Sequence, residues 1–272
     1  MINFRTTDNA SPQSGDLGLR EKVVLITGAG QGIGQAAAQA FASYGSYVVV
    51  SGRTRASCEA TLSELPPDRT LFCAADVSQE PDVARLVRAA VDRFGRLDIA
   101  FNNAGTFGAF APLHDDKFEN FEHVVATNLR GTWLCMKHEI GAMLSFGGGA
   151  IVNCASVAAH IGHAQSAVYS ATKHAVLGLT KSAALQYGRC GVRINAVSPG
   201  STDTPMLRTI YPSESQLQAR ATRAPLGRIG LPREIAQAVL WLSSPLSSYT
   251  TGQAIAVDGG VTAGTAANNK PT

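Results

Sequence analysis

Seven short runs of β-branched and aliphatic residues, each separated from the next by a helix-length segment, constrain this chain more than any other feature. They are "KVVLIT" (22–27), "YVVVS" (47–51), "TLFCAA" (70–75), "LDIAF" (97–101), "AIVNCA" (150–155), "VRINAVS" (192–198) and "QAIAVD" (253–258). Several are apolar at successive positions instead of alternating, which is how strands read when helices cover both faces of a sheet. The intervening segments, at 33–44, 54–64, 79–94, 117–145, 166–188 and 232–243, carry apolar residues at helical spacing. Alternation of this kind builds β-α-β units with right-handed crossovers. The expected fold is α/β, a doubly wound sheet of about seven parallel strands with helices on both faces. In such a sheet a ligand is held by the loops beyond the carboxyl ends of the strands.

Composition excludes more than it assigns. Of 272 residues 45% are hydrophobic and 16% charged, the net charge is +3, and no Lys/Arg cluster with interleaved aromatics is present. Nucleic-acid binding thus has no electrostatic support. No run approaches the roughly 18 apolar residues that span a bilayer. The five cysteines (Cys58, Cys73, Cys135, Cys154, Cys190) are widely spaced and odd in number, as expected of thiols in a reducing, cytoplasmic compartment. His160 and His163 form an H-x-x-H without a Cys or carboxylate at ligand spacing, so no metal is expected. Residues 1–20 lack an apolar core and read as a flexible arm, not a secretory leader. Residues 21–261 read as one domain and 262–272 as a polar tail.

The loop after the first run, "TGAGQGIGQ", places Gly28, Gly30, Gly32 and Gly34 between a strand and a helix. Side chains there would keep a ligand from the backbone, and the helix N-terminus offers free N–H groups to a pyrophosphate. A dinucleotide is the expected ligand. After the second run an acid would favour NAD, whereas a base suits the 2′-phosphate of NADP. The chain reads "VVVSGRTR", with no acid and with Arg53, Thr54 and Arg55 instead. NADP(H) is therefore expected, with NAD(H) the alternative.

In "YSATKHAVLGL", Tyr169 and Lys173 stand four residues apart, on one face of a helix. An ammonium beside a phenol favours the phenolate, which predicts a Tyr169 pKa below its ordinary value and a role in general acid/base chemistry.

Taken together, the motifs resemble those of the short-chain dehydrogenase/reductase family across residues 21–261. "TGAGQGIG" matches the family's cofactor loop, "ADV" ends in Asp76 and Val77, and "NNAG" spans Asn102 to Gly105. Asn128 lies in "ATNLRG", Ser156 ends "IVNCAS", Tyr169 and Lys173 follow, and "SPGSTDTPM" and "VDGG" close the series. The resemblance implies a Rossmann-type fold and a catalytic tetrad. Tyr169 would exchange a proton with the substrate oxygen, and Lys173 would tune it and hold the nicotinamide ribose. Ser156 would donate to the substrate oxygen, and Asn128 would anchor a water relay. It also implies cofactor contacts from Gly28, Gln31, Gly32, Ile33, Gly34, Arg53, Thr54, Asp76 and Val77. Further contacts would come from Asn103, Ala104, Gly105, Pro199, Gly200, Thr202 and Thr204. Ser166, Met206 and Leu207 are expected at the substrate with Ser156 and Tyr169, beneath a loop at 204–228.

The expected activity is NADP(H)-dependent hydride transfer between a carbonyl and a secondary alcohol, as a ketone reductase on a medium-sized, partly apolar small molecule. NAD-linked oxidation of cyclic alcohols or dihydrodiols is an alternative. Reduction of 3-oxoacyl-carrier proteins is another, given Arg130, Lys137, Arg208, Arg220 and Arg223 as a basic patch. A cofactor-binding regulatory protein without turnover is the reading from a different class. The family implies a homo-oligomer, a dimer or tetramer.

Overall fold

In the computed structural model, which describes residues 17–264, alternate residues of the first strand enter different cores. Val24 and Ile26 of β1 (Val23–Thr27) pack on one face of the sheet, Val23 and Leu25 on the other. This is the two-residue period of a strand covered on both sides. The remaining strands are β2 (Tyr47–Gly52), β3 (Thr70–Ala74), β4 (Ile99–Asn102), β5 (Gly149–Cys154), β6 (Val192–Pro199) and β7 (Ala254–Val257). All pair in parallel in the order β3-β2-β1-β4-β5-β6-β7. The order reverses direction between β1 and β4, which opens a crevice over their carboxyl ends.

Helices α1 (Gly32–Ser43) and α9 (Pro232–Ser243) cover one face, burying Ala37, Phe41, Ile235, Val239 and Leu242. On the other face lie α3 (Glu80–Phe94), α5 (Gly131–Ser145) and α6 (Ala167–Tyr187), contributing Leu86, Met136, Met143 and Ala184. Each fully buried aliphatic side chain contributes about 2 kcal/mol. One polar cluster is buried among them. Asn102 donates to Glu139 (2.9 Å) and Asn153 (3.0 Å), and Asn153 donates to Thr180 (2.9 Å). Burial pushes the Glu139 carboxyl up to about 8, so it is held as a neutral acid at pH 7.

Four expectations are corrected. Segment 54–64 is a 3-10 turn (Ala56–Cys58) followed by only one turn of helix, α2 (Glu59–Ser63). Segment 117–145 is not one regular helix: α4 (Phe118–Val124) runs into a π-turn (Val125–Arg130) before α5. The 204–228 segment, expected as a loop, holds α7 (Pro205–Ile210) and α8 (Glu214–Ala221), started by side-chain caps from Thr204 and Ser213. Finally, Leu17 and Leu19 pack in the core, Leu19 fully buried, so residues 17–20 belong to the folded unit and not to an arm. Residues 1–16 and 265–272 lie outside the described residues.

Candidate active site

The carboxyl ends of β1, β2, β4, β5 and β6 open into one cleft of about 600 Å³. Its floor at one end is backbone. Gly28 and Gly32 adopt φ of +63° and +58°, a region open to glycine and costly for other residues. A Cβ on Gly30 would stand 2.1 Å from the Ser57 carbonyl oxygen, and one on Gly32 3.0 Å from Thr204. The N-cap of α1, Gln31, makes no side-chain capping bond, so the helix's first amides are left without a side-chain acceptor there, next to the cleft. Arg53 lies on the cleft wall and is exposed, with no ion pair among the described residues. Arg55, by contrast, is paired with Glu59 (3.6 Å) and sits over Phe72. These features fit a dinucleotide: a side-chain-free cradle, an unsatisfied helix end and an uncommitted cation where β2 ends.

Of the expected cofactor residues, Gly28, Gln31, Gly32, Ile33, Arg53, Asp76, Val77, Asn103, Ala104 and Gly105 line the cleft. So do Tyr169, Lys173, Pro199, Gly200, Thr202 and Thr204, together with Ser156, Met206 and Leu207. Asn103 is braced by bonds to the Thr27 and Gly28 carbonyls (3.1 and 2.9 Å). Thr204 caps α7 by accepting from Leu207 N–H (3.2 Å).

Four expected residues do not line it: Gly34, Thr54, Asn128 and Ser166. Gly34 serves packing, since its Cβ would meet the Gly28 oxygen at 2.2 Å. Thr54 is spent on a local turn, accepting from Ser57 N–H and O–H through its hydroxyl and carbonyl oxygens, and it is Ser57 that reaches the wall. Ser166 is buried at the N-cap of α6, its hydroxyl without a hydrogen-bond partner among the described residues. Asn128 is fully buried in the π-turn, where its amide clamps Thr106 by two 2.8 Å bonds, accepting from N–H and donating to C=O.

Lys173 and Tyr169 share the cleft face of α6, and the lysine ammonium lies over the phenol ring while bonded elsewhere. Its Nζ donates to the Cys154 carbonyl (2.7 Å) and lies 5.7 Å from the Tyr169 ring centroid. Burial also pushes the Lys173 ammonium down. Desolvation therefore governs Tyr169, whose phenol is pushed up to about 12, opposed by its bond to Ser156. The expected depression is corrected: burial is the largest influence on the phenol and raises it. At neutral pH Tyr169 is a protonated donor.

Sequence reasoning missed Phe107, whose ring stacks on Tyr169 (centroids 4.3 Å, 24°) and also on Phe110 (4.7 Å). The available signal was an aromatic pair in the otherwise small "NNAGTFGAF" loop directly after β4. His163 lines the cleft and meets Phe107 edge-on (5.7 Å), whereas His160 is tied to Ser198 (2.9 Å). Ile210, Tyr211 and Arg220 complete the far wall. "VDGG" secures that wall: Leu226 N–H donates to the Gly259 carbonyl (3.1 Å), and Asp258 accepts from Gly260 N–H and Thr262.

Comparison with known proteins agrees with this geometry. A family model described as "Enoyl-(Acyl carrier protein) reductase" matches residues 28–262. The A-factor type gamma-butyrolactone 1'-reductase (1S-forming) of Streptomyces virginiae is 40% identical over 250 residues, covering 90% of this chain and 96% of that protein. The 2,5-dichloro-2,5-cyclohexadiene-1,4-diol dehydrogenase of Sphingobium indicum is 40% identical over 247 residues, covering 90% and 98%. The crystal structure of levodione reductase superposes with a TM-score of 0.85 at 37% identity, over 90% of this chain and 98% of that one. A glycine cradle and a Tyr-x-x-x-Lys helix facing one cleft, with relatives of this kind along nearly the whole chain, place it in the short-chain dehydrogenase/reductase family, oxidoreductases acting on CH–OH groups with a nicotinamide dinucleotide.

Proposed function

We propose that the protein is an NADP(H)-dependent reductase of ketones to secondary alcohols, acting on medium-sized, partly apolar small molecules. The observation that carries this reading is Tyr169. It shares a cleft with the glycine cradle, Ser156 and Lys173, where its phenol can donate to a carbonyl oxygen that becomes an alcohol. Gly28, Gln31, Gly32 and Ile33 would hold the pyrophosphate, Arg53 the 2′-phosphate, Asp76 and Val77 the adenine, and Lys173 the nicotinamide ribose. The bound nicotinamide supplies the hydride. Ser156, at the cleft wall beside Tyr169, orients the substrate oxygen and stabilises charge on it. Asn128 is a positioning residue that keeps the Gly105–Thr106 backbone near Lys173. Its side-chain amide is taken up by Thr106 and Thr172 and its main-chain carbonyl oxygen accepts from Thr132, so a relay water would use the second lone pair of that carbonyl.

The absence of an acid at the end of β2, with Arg53 unpaired, supports NADP(H). NAD-linked oxidation of a cyclic diol stands as the second reading, favoured by the name of the Sphingobium relative. Carrier-protein reduction draws less support: Lys137 is paired with Glu80, Arg208 with Asp203, and Arg220 lies in the cleft. Assembly into a homo-oligomer is supported by Phe118, Phe121, Trp133 and Leu144, left exposed on α4 and α5. The free cysteines support a reducing, cytoplasmic setting, and no helix among the described residues is long and apolar enough to cross a membrane.

The test is NADPH consumption with a panel of cyclic ketones by the wild type and Tyr169→Phe. The variant should lose about 10²–10⁴-fold in kcat with cofactor affinity unchanged. In the reverse direction alcohol oxidation should climb with pH from 7 to 10, because the phenolate is scarce below about 12. A Tyr169→Phe enzyme of near-normal kcat would refute the assignment.

A further inference from the structure

Arg220 lines the cleft's far wall and has no ion-pair partner among the described residues. It projects from α8, partly buried, with Nε donating to the Ser201 hydroxyl (3.2 Å) and the guanidinium carbon 5.0 Å from the Tyr211 ring centroid. Its two terminal nitrogens make no hydrogen bond, and the group no ion pair, among the described residues. The neighbouring arginines are treated differently: Arg208 is doubly bonded to Asp203, and Arg228 to Glu234. The acid on α8 itself, Glu214, acts on Arg208. Arg223 adds a second positive charge at this end: burial first, then Arg220 and Arg223, push the His163 imidazole down. A partly desolvated guanidinium without a carboxylate is costly to keep, and its free fork matches a carboxylate bidentately. Between it and Tyr169 runs an aromatic path of Tyr211, Phe110 and Phe107, with ring centroids 6.4, 4.7 and 4.3 Å apart in turn, ending on Tyr169.

We infer that the substrate carries a carboxylate on the side away from its reacting carbonyl, with Arg220 as the group that binds it and Tyr211 and Phe107, which line the cleft, as the wall for the apolar body between. This rests on the ketone–alcohol reading above and narrows its substrate class to oxo or hydroxy carboxylic acids.

The experiment is calorimetric titration of the protein, saturated with oxidised cofactor so that no turnover occurs, with 4-oxocyclohexanecarboxylate and with 4-methylcyclohexanone. The wild type should bind the carboxylate about 10- to 100-fold more tightly, the range of one charge-assisted bidentate contact. Arg220→Gln should abolish that preference and Arg220→Lys should keep part of it, with cofactor affinity unchanged in both. Arg220→Lys also serves if the Gln variant does not fold. Equal binding of the two ketones by the wild type overturns the inference. So does a carboxylate preference that survives Arg220→Gln, or a loss of cofactor affinity in that variant, which would assign the guanidinium to the dinucleotide. Failure of NADPH to reduce either ketone would sink the reductase reading instead, while a carboxylate preference lost in Arg220→Gln would still uphold this one.

Discussion

The two ends of the cleft are made of different material. Over β1 the wall is backbone, formed by Gly28, Gly30 and Gly32 with the first turn of α1, within one continuous stretch of chain. At the far end it is side chains from three distant segments: Phe107 after β4, His163 before α6, and Tyr211 just after α7 with Arg220 on α8. A backbone cradle recognises what every dinucleotide shares, a pyrophosphate, and tolerates no side chains of its own. A side-chain wall can be rebuilt residue by residue without disturbing the sheet. The difference teaches where generality and specificity sit in this molecule.

The comparison can be broken first at the glycine end. Gly30→Ala would drive a methyl against the Ser57 carbonyl and misplace the amides of α1. Cofactor affinity should fall about 100-fold, the equivalent of two charge-assisted bonds, as read by fluorescence titration. An unchanged dissociation constant would show that the cradle is not where the dinucleotide binds. At the far end the expected effect is smaller and of another kind. Phe107→Ala removes the ring stacked on Tyr169, worth about 0.5–1.5 kcal/mol beyond its area. It should lower kcat/KM up to about 10-fold while leaving cofactor affinity alone. A Phe107→Ala enzyme that loses cofactor instead would erase the distinction between the two ends.

How legible each end was follows from its construction. The seven strands and the glycine turn were readable because local pattern alone produces them: β-branched runs, then glycines between a strand and a helix. The ladder registers of Thr27 with Ser51 and Asn102 then bring β1, β2 and β4 to a common end. Phe107, Ser57 and the role of Arg220 were not readable, because tertiary packing decides which loop residues meet. The same is true of Tyr169. Spacing put Lys173 on the right face, but only the fold reveals that its ammonium is committed to the Cys154 carbonyl. The π-turn at Asn128 escaped because apolar periodicity runs through it without a glycine or proline to mark the irregularity.

The most direct test of the cofactor assignment, on which the rest depends, is a pair of equilibrium titrations with NADPH and NADH, repeated on Arg53→Ala. Arg53 has no ion-pair partner among the described residues, so its removal should leave the fold intact. The account expects NADPH to bind more tightly by about 10-fold or more, with Arg53→Ala erasing that preference and leaving NADH affinity as it was. Equal or tighter binding of NADH by the wild type would contradict it and turn the reading to NAD-linked oxidation of cyclic alcohols.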